Sequence, residues 1–127
     1  MKLFCVVLIC CILFAQPANI RPRVPLVTDG TTDNASALNA AMNAPTQIYI
    51  PCGTYAFSRL SVGSNNVMVV GQGTCTVLKA LADSAALFNA NGHTSVTVQN
   101  LRFDLSKAQK STVNAGTATF TNVTITK

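Results

Sequence analysis

The sequence predicts an all-β chain folded as a right-handed parallel β-helix of about three to four coils, closed at its start by one capping helix. Three observations carry this. Val96-Thr-Val-Gln-Asn-Leu-Arg-Phe103 repeats as Ala118-Thr-Phe-Thr-Asn-Val-Thr-Ile125, an offset of 118 − 96 = 22. Gln47-Ile-Tyr-Ile-Pro-Cys-Gly-Thr54 repeats as Val67-Met-Val-Val-Gly-Gln-Gly-Thr74, an offset of 67 − 47 = 20. The chain after Pro45 is a series of short Val/Ile/Thr/Phe runs punctuated by Gly, Asn and Ser. A sandwich also yields short strands. Self-similarity at a nearly fixed spacing is what marks stacked coils sharing one core.

The first element stands apart from the fold. Lys2 precedes an uncharged apolar run, Leu3 to Ala15. A basic start followed by a short apolar core reads as a secretory signal peptide over residues 1–15, with cleavage after Ala15 or after Ala18. The run is well short of the roughly 20 residues a membrane span needs. The mature chain is therefore expected to be extracellular, with no membrane segment. Residues 16–27, with Pro17, Pro22 and Pro25, form an extended lead, and the β-helix domain covers 28–127.

Asp33 is a good N-cap. Ala35, Leu38, Ala41 and Met42 then share one helical face, and Asn43-Ala44-Pro45 stops the helix. This predicts a capping helix over about 34–43 and coils over about 47–127. Candidate strands are 47–50, 60–62, 67–70, 76–78, 86–88, 95–99, 101–105, 118–120 and 123–126.

The repeated Asn falls between two strand segments, where the chain must bend. Asn tolerates left-handed backbone, and stacked Asn side chains can bond from coil to coil. Asn100 and Asn122 are thus two candidate steps of an internal ladder, with ordinary turn asparagines as the alternative. Loss of the leader removes Cys5, Cys10 and Cys11 and leaves Cys52 and Cys75. An even pair in a secreted chain suggests a disulfide, with two buried thiols as the alternative. The offset within the pair is 75 − 52 = 23, close to one coil.

The net charge is +5, or +4 once Lys2 is lost, and there is no Glu. The bases form no dense run, so nucleic acid is not an expected partner. An acidic polysaccharide is compatible with the mild positive charge.

Val27-Thr-Asp-Gly-Thr-Thr-Asp-Asn-Ala-Ser-Ala-Leu38 resembles the opening of the pectate-lyase-like superfamily, where a Gly-Thr-x-Asp segment leads into a capping helix. Ile48-Tyr-Ile-Pro-Cys-Gly-Thr-Tyr55 resembles its first-coil signature. Val69-Val-Gly-Gln-Gly73 with Thr76-Val-Leu78, and Ser95-Val-Thr-Val-Gln-Asn-Leu-Arg-Phe103, are similar to later coils. The likeness runs from about Val24 to Lys127. It implies a right-handed parallel β-helix acting on extracellular or plant polysaccharides, in a family that also holds phage tailspikes and non-catalytic members. Family chains carry more coils, and the usual Phe-Gly-Ala ahead of the opening turn is missing. The resemblance therefore implies an N-terminal portion or a shortened member.

Polysaccharide cleavage by a hydrolase needs an acid and a base or nucleophile, commonly two carboxylates. Asp29 and Asp33 are taken by the turn and the cap, and Asp83 lies in a loop. Asp104 alternates with Leu101, Phe103 and Leu105, so it faces outward beside Arg102. That pair is the sole catalytic or uronate-gripping candidate, with a surface ion pair as the default. His93 sits in Gly-His-Thr, not the Gly-His-Gly of the family's hydrolases, and is read as a loop residue. Gly71-Gln-Gly73 is a coil turn. No metal cluster or cofactor motif is present; Ca²⁺ enters only through the resemblance. Asn34 and Asn122 each open a glycosylation sequon, Asn34 on the exposed helix start. Asn122 cannot be both an inward ladder step and a glycan acceptor. The expected function is a secreted carbohydrate-associated β-helix without a complete active site, as lyase or hydrolase only within a larger active member. The alternative is a structural or adhesion module of tailspike type. Self-association through an open C-terminal coil is expected in either case.

Overall fold

A computed structural model describes residues 24–127. The leader and most of the lead, with Cys5, Cys10 and Cys11, lie outside the described residues. Among the described residues one helix, α1 (Ala35–Ala41), precedes nine strands: β1 (Thr46–Tyr49), β2 (Gly53–Phe57), β3 (Leu60–Ser61), β4 (Val67–Val70), β5 (Thr76–Ala80), β6 (Phe88–Asn89), β7 (Thr97–Asp104), β8 (Val113–Asn114) and β9 (Thr119–Thr126). Every pairing is parallel, and each strand pairs with its equivalent one coil away. The chain is a parallel β-helix of about four turns.

Its wall has three faces. The first comprises β1, β4 and the starts of β7 and β9; the second comprises β2, β5 and the ends of β7 and β9. The third is β3, β6 and β8. Side chains alternate in and out along each strand, so one row per face is apolar and buried. Ile48, Val69 and Val98 stack in register on the first face, and Tyr55, Leu78 and Phe103 on the second. Each coil contributes one phenylalanine to an edge-to-face series: Phe57 to Phe103 at 6.2 Å, Phe103 to Phe88 at 6.4 Å, Phe88 to Phe120 at 5.6 Å. Each such pair adds about 0.5–1.5 kcal/mol beyond its buried area. One void of about 10 Å³ in the interior, lined by Leu38, Met42, Ile50 and Phe103 among others, is about the size of a single water.

The first coil is sealed by the segment ahead of it. Leu38 and Met42, on α1 and at its end, are 2% and 1% exposed and join the core. Polar side chains satisfy the free edges that a solenoid end exposes. Asn34 donates to Ala56 O, and Asp33 Oδ1 accepts from Ser58 N. Asn39 of α1 does the same for β3, accepting from Ser61 N and donating to Arg59 O. At Gly63, where the end of α1 meets this coil, a Cβ would crowd the Asn43 side chain and lie 3.3 Å from Asn43 Cα.

Several expectations need correction. The helix itself runs Ala35–Ala41, flanked by Met42 and by Asn34, which has φ −92° and ψ 1° and whose side chain serves β2. Asp33 still caps, accepting from Ala35 N at 2.9 Å. Asn34 is not the exposed acceptor proposed for a glycan. It is 3% exposed, and its Nδ2 donates to Val27 O, Thr32 O and Ala56 O, so a sugar on that nitrogen is incompatible with the fold. The offset of 20 is also replaced. Gln47 pairs with Met68 (68 − 47 = 21) and Gly53 with Thr76 (76 − 53 = 23). The second coil's turn, Gly71 to Cys75, is two residues longer than the Ile50–Cys52 turn it stacks on. Strands β2 and β8 fall outside the expected strands, because Gly-Thr and Ser-Thr-Val-Asn read as turns.

Candidate functional site

The second face carries the outward charges. Register places Thr54, Val77, Arg102 and Thr124 in one row, and Ala56, Lys79, Asp104 and Thr126 in the next, on the side of the sheet away from the core cluster; Val77 and Ala56 in these rows are themselves buried. Lys79 and Asp104 are direct neighbours on adjacent coils, about 4.8 Å apart at the backbone. Arg102 stands two residues before Asp104 on the same side of β7. Arg102, Lys79 and Asp104 are each half-buried. Arg102 Nε is fully buried and has no hydrogen-bond partner among the described residues. On the first face the outward rows are Gln47, Met68, Thr97, Thr119 and Tyr49, Val70, Gln99, Thr121, without a charge. On the third face Ser61, Asn89 and Asn114 stack in register, also uncharged.

All four carboxylates are engaged by the chain's own donors. Asp29 accepts from Thr31 N, Thr32 N and the Thr32 hydroxyl. The Thr32 hydroxyl, then the two backbone N–H groups, pull its pKa from 3.8 down to about 2. At Asp33 partial burial pushes the pKa up, but bonds from Ser58 and Ala35 outweigh it and hold the group below the ordinary value. Asp83 Oδ1 accepts from Lys110 N at 2.9 Å. Asp104 Oδ1 accepts from Ser106 N at 3.0 Å. The Ser106 N–H, then its hydroxyl, lower the Asp104 pKa against the effect of burial, with the charges of Arg102 and Lys79 adding to the shift. A general acid in glycoside cleavage needs the opposite, a carboxyl pKa raised toward neutrality. Among the described residues no three His, Cys, Asp or Glu side chains cluster as a metal would require.

These lowered pKa values have a consequence for stability. A carboxylate with a folded-state pKa below its unfolded value stabilises the fold above the unfolded pKa, and that contribution is lost as pH falls through the folded one. Asp29, Asp33 and Asp104 all act in this direction. The melting midpoint is expected to stay level above about pH 5 and to fall between about pH 4 and pH 2. A thermal series in that range, monitored by circular dichroism, checks it. A flat profile would contradict the assignment.

At the corner between the first two faces, Asn100 and Asn122 adopt left-handed φ values of 56° and 50°. Asn122 Nδ2 donates to Asn100 Oδ1 at 3.3 Å. The row ends at Gly71, where a Cβ would lie 2.3 Å from Asn100 O. Asn122 is exposed despite this bond. Cys52 and Cys75 form a disulfide with Cα atoms 4.8 Å apart. His93 lies in a turn held by its N–H to Ala90 O and by the Thr117 hydroxyl to its carbonyl.

The structure thus places Arg102 and Asp104 together on one outward face and adds Lys79, which sequence reading had missed. Lys79 comes from the preceding coil (104 − 79 = 25), and only the irregular register makes it a neighbour. Its place after Thr76-Val-Leu78, two residues on from the outward Val77, was the available signal.

A family model described as rhamnogalacturonase A/epimerase, pectate lyase-like, matches residues 24–126. No curated protein and no solved structure matches the chain. The matched span coincides with the described β-helix. The chain belongs to the pectate-lyase-like family of rhamnogalacturonase A and epimerase type.

Proposed function

We propose that this chain is a secreted β-helix that binds an acidic polysaccharide on its second face and does not cleave it. The observation that carries this reading is the outward set of Lys79, Arg102 and Asp104, with one buried guanidinium nitrogen left unpartnered among the described residues. A uronate carboxylate accepts from a guanidinium in planar geometry, and an ammonium one coil away adds charge. The Asp104 carboxylate accepts hydroxyl hydrogens of a neighbouring sugar and sets the register. Cleavage is not part of the proposal, because every carboxylate is already held by backbone donors and three are shifted away from acid function. Secretion is supported by Lys2 with the apolar run Leu3–Ala15, and by a disulfide of the kind that persists in oxidising compartments.

The test is affinity electrophoresis and calorimetry with polygalacturonate and alginate, against a neutral glucan as control. Lys79→Ala with Arg102→Ala is expected to weaken binding at least about tenfold, since one charge-assisted hydrogen bond is worth about 1.5–3 kcal/mol. Binding should also weaken with salt. Equal retention of the neutral glucan, or unchanged affinity in the double variant, overturns the site. Release of reducing ends or unsaturated products, with or without Ca²⁺, overturns the non-cleaving part.

A further inference from the structure

Among the described residues the lysines and arginines lie on one side of the solenoid. Lys79 and Arg102 stand on the second face, on β5 and β7. Arg59 lies in the turn between β2 and β3, and Lys107 and Lys110 in the turn between β7 and β8. Lys127 follows Thr126, the neighbour of Asp104. Each of these positions is on the second face or at the corner where that face meets the third. The strands of the first and third faces carry no Lys or Arg, nor do the turns at the other two corners.

The acids on this side are occupied with the backbone. Asp33, Asp83 and Asp104 accept from the N–H groups of Ser58, Lys110 and Ser106. These are the very turns that present Arg59, Lys107 and Lys110. The carboxylates thus fix the backbone beneath the cations, and the side chains of Arg59, Lys107 and Lys110 are exposed to solvent. Only Asp104 also stands beside cations of the second face, Lys79 and Arg102.

The corner is shaped as well as charged. β2 passes to β3 through Ser58 and Arg59 alone, whereas residues 81–87 join β5 to β6 and 105–112 join β7 to β8. The two longer turns are tied to each other, with Ser84 N–H donating to Ser111 Oγ and Thr112 N–H to Ser84 O. Ala108 is 0% exposed and pins the later turn to the core between Lys107 and Lys110. Side chains carried on an anchored backbone leave less loop ordering to be lost on binding.

Direction follows from the stacking. Successive coils lie about 4.8 Å apart along the axis, comparable to the length of one sugar ring in an extended glycan. Arg59 belongs to the first coil, Lys79 to the second, and Arg102, Lys107 and Lys110 to the third. A ligand that meets all of them runs along the solenoid axis, not along a strand.

We propose that the acidic glycan lies lengthwise over the corner between the second and third faces, with Arg59, Lys107 and Lys110 as binding residues beyond Lys79 and Arg102. This rests on the acidic-polysaccharide reading above and adds the direction and extent of the bound chain. The occupant is a linear polyuronate, because cations on successive coils match charges repeated along one chain. A single uronate would use Lys79 and Arg102 alone.

Contacts linked within one ligand reinforce each other, so affinity is expected to rise with oligomer length. Calorimetry with digalacturonate, tetragalacturonate and octagalacturonate reads this. Lys107→Ala with Lys110→Ala should weaken octagalacturonate binding about fivefold or more and leave digalacturonate unchanged. Arg59→Ala should act with the same selectivity, whereas Lys79→Ala with Arg102→Ala weakens every length. Circular dichroism should stay unchanged in the Arg59 and Lys107/Lys110 variants, whose altered side chains are exposed. Lysine acetylation read by mass spectrometry gives a second map. Octagalacturonate should protect Lys79, Lys107 and Lys110, and digalacturonate only Lys79. Affinity that does not rise with length overturns the proposal and leaves the second-face site standing. So does a Lys107/Lys110 variant that binds octagalacturonate as tightly as the unaltered chain. Equal weakening of all lengths in that variant overturns it too, since it shows general charge attraction. No binding at any length removes the acidic-polysaccharide reading itself, and this proposal with it.

Discussion

Leu38→Asp is expected to lower the melting midpoint by on the order of 15 °C or more. Leu38 projects from α1 into the end of the solenoid, 2% exposed, and shares its surroundings with Met42, Ile50 and Leu60. Removing such a side chain by Leu38→Ala alone costs about 2–5 kcal/mol. A carboxylate in its place adds the cost of burying an unpaired charge or a protonated acid without a partner. The helix cannot simply swing away. Asn39, one residue on, holds both Ser61 N and Arg59 O, so detachment would strip β3 of its edge partners as well. Differential scanning calorimetry of Leu38→Asp beside Ala40→Asp separates loss of the seal from the mere presence of a carboxylate on α1. Ala40 is exposed on the same helix and lies outside the core cluster. Equal melting of both variants would show that α1 is not the seal of the first coil.

Replacing Cys52 and Cys75 together by serine is expected to cost about 3 kcal/mol in denaturant unfolding, the chain-entropy value for a loop of this length. The bond joins the turns of the first two coils, which differ in length by two residues. Other ties remain after its loss. Cys52 N–H donates to Gln72 Oε1, Gln72 N–H to Thr76 Oγ1, and the buried Thr76 hydroxyl to Ile50 O. The variant should therefore still fold, with the same far-ultraviolet spectrum and a lower midpoint. Urea titration of the oxidised, reduced and double-serine proteins checks it. The reduced and serine forms should coincide, and a midpoint equal to that of the oxidised protein would contradict the role given to the bond.

The later coils were legible because their rules are local. In Val96–Phe103 and Ala118–Ile125 a period of two is interrupted once by Asn, and each residue's face follows from its place in that pattern. The strand pairing keeps the offset that the repeat required, with Val98 beside Phe120 and Phe103 beside Ile125. The first two coils were harder. Gly53-Thr54 resembles Gly73-Thr74, yet Gly53 pairs with Thr76, because the inserted turn residues bulge from the wall without altering the strands on either side. A sequence repeat cannot distinguish a two-residue insertion in a turn from a shift in a strand. The cysteines marked the true register, with a sequence separation of 23, and the Gly53–Thr76 pairing carries the same spacing.

The sequence by itself determined the fold class, the alternation of the later coils, the bend at Asn100 and Asn122, and the placement of Arg102 and Asp104 on the same side of one strand. Each depends on neighbours within a few positions, where alternation and backbone preference act directly. Only the tertiary structure decided which coil neighbours stand side by side. It put Lys79 next to Asp104 from one coil to the next, and it turned Asn34 from a surface sequon into a buried clamp between Val27, Thr32 and Ala56. Those outcomes rest on the lengths of the turns between strands, which the chain's local preferences leave open and the stacking of a shared core settles.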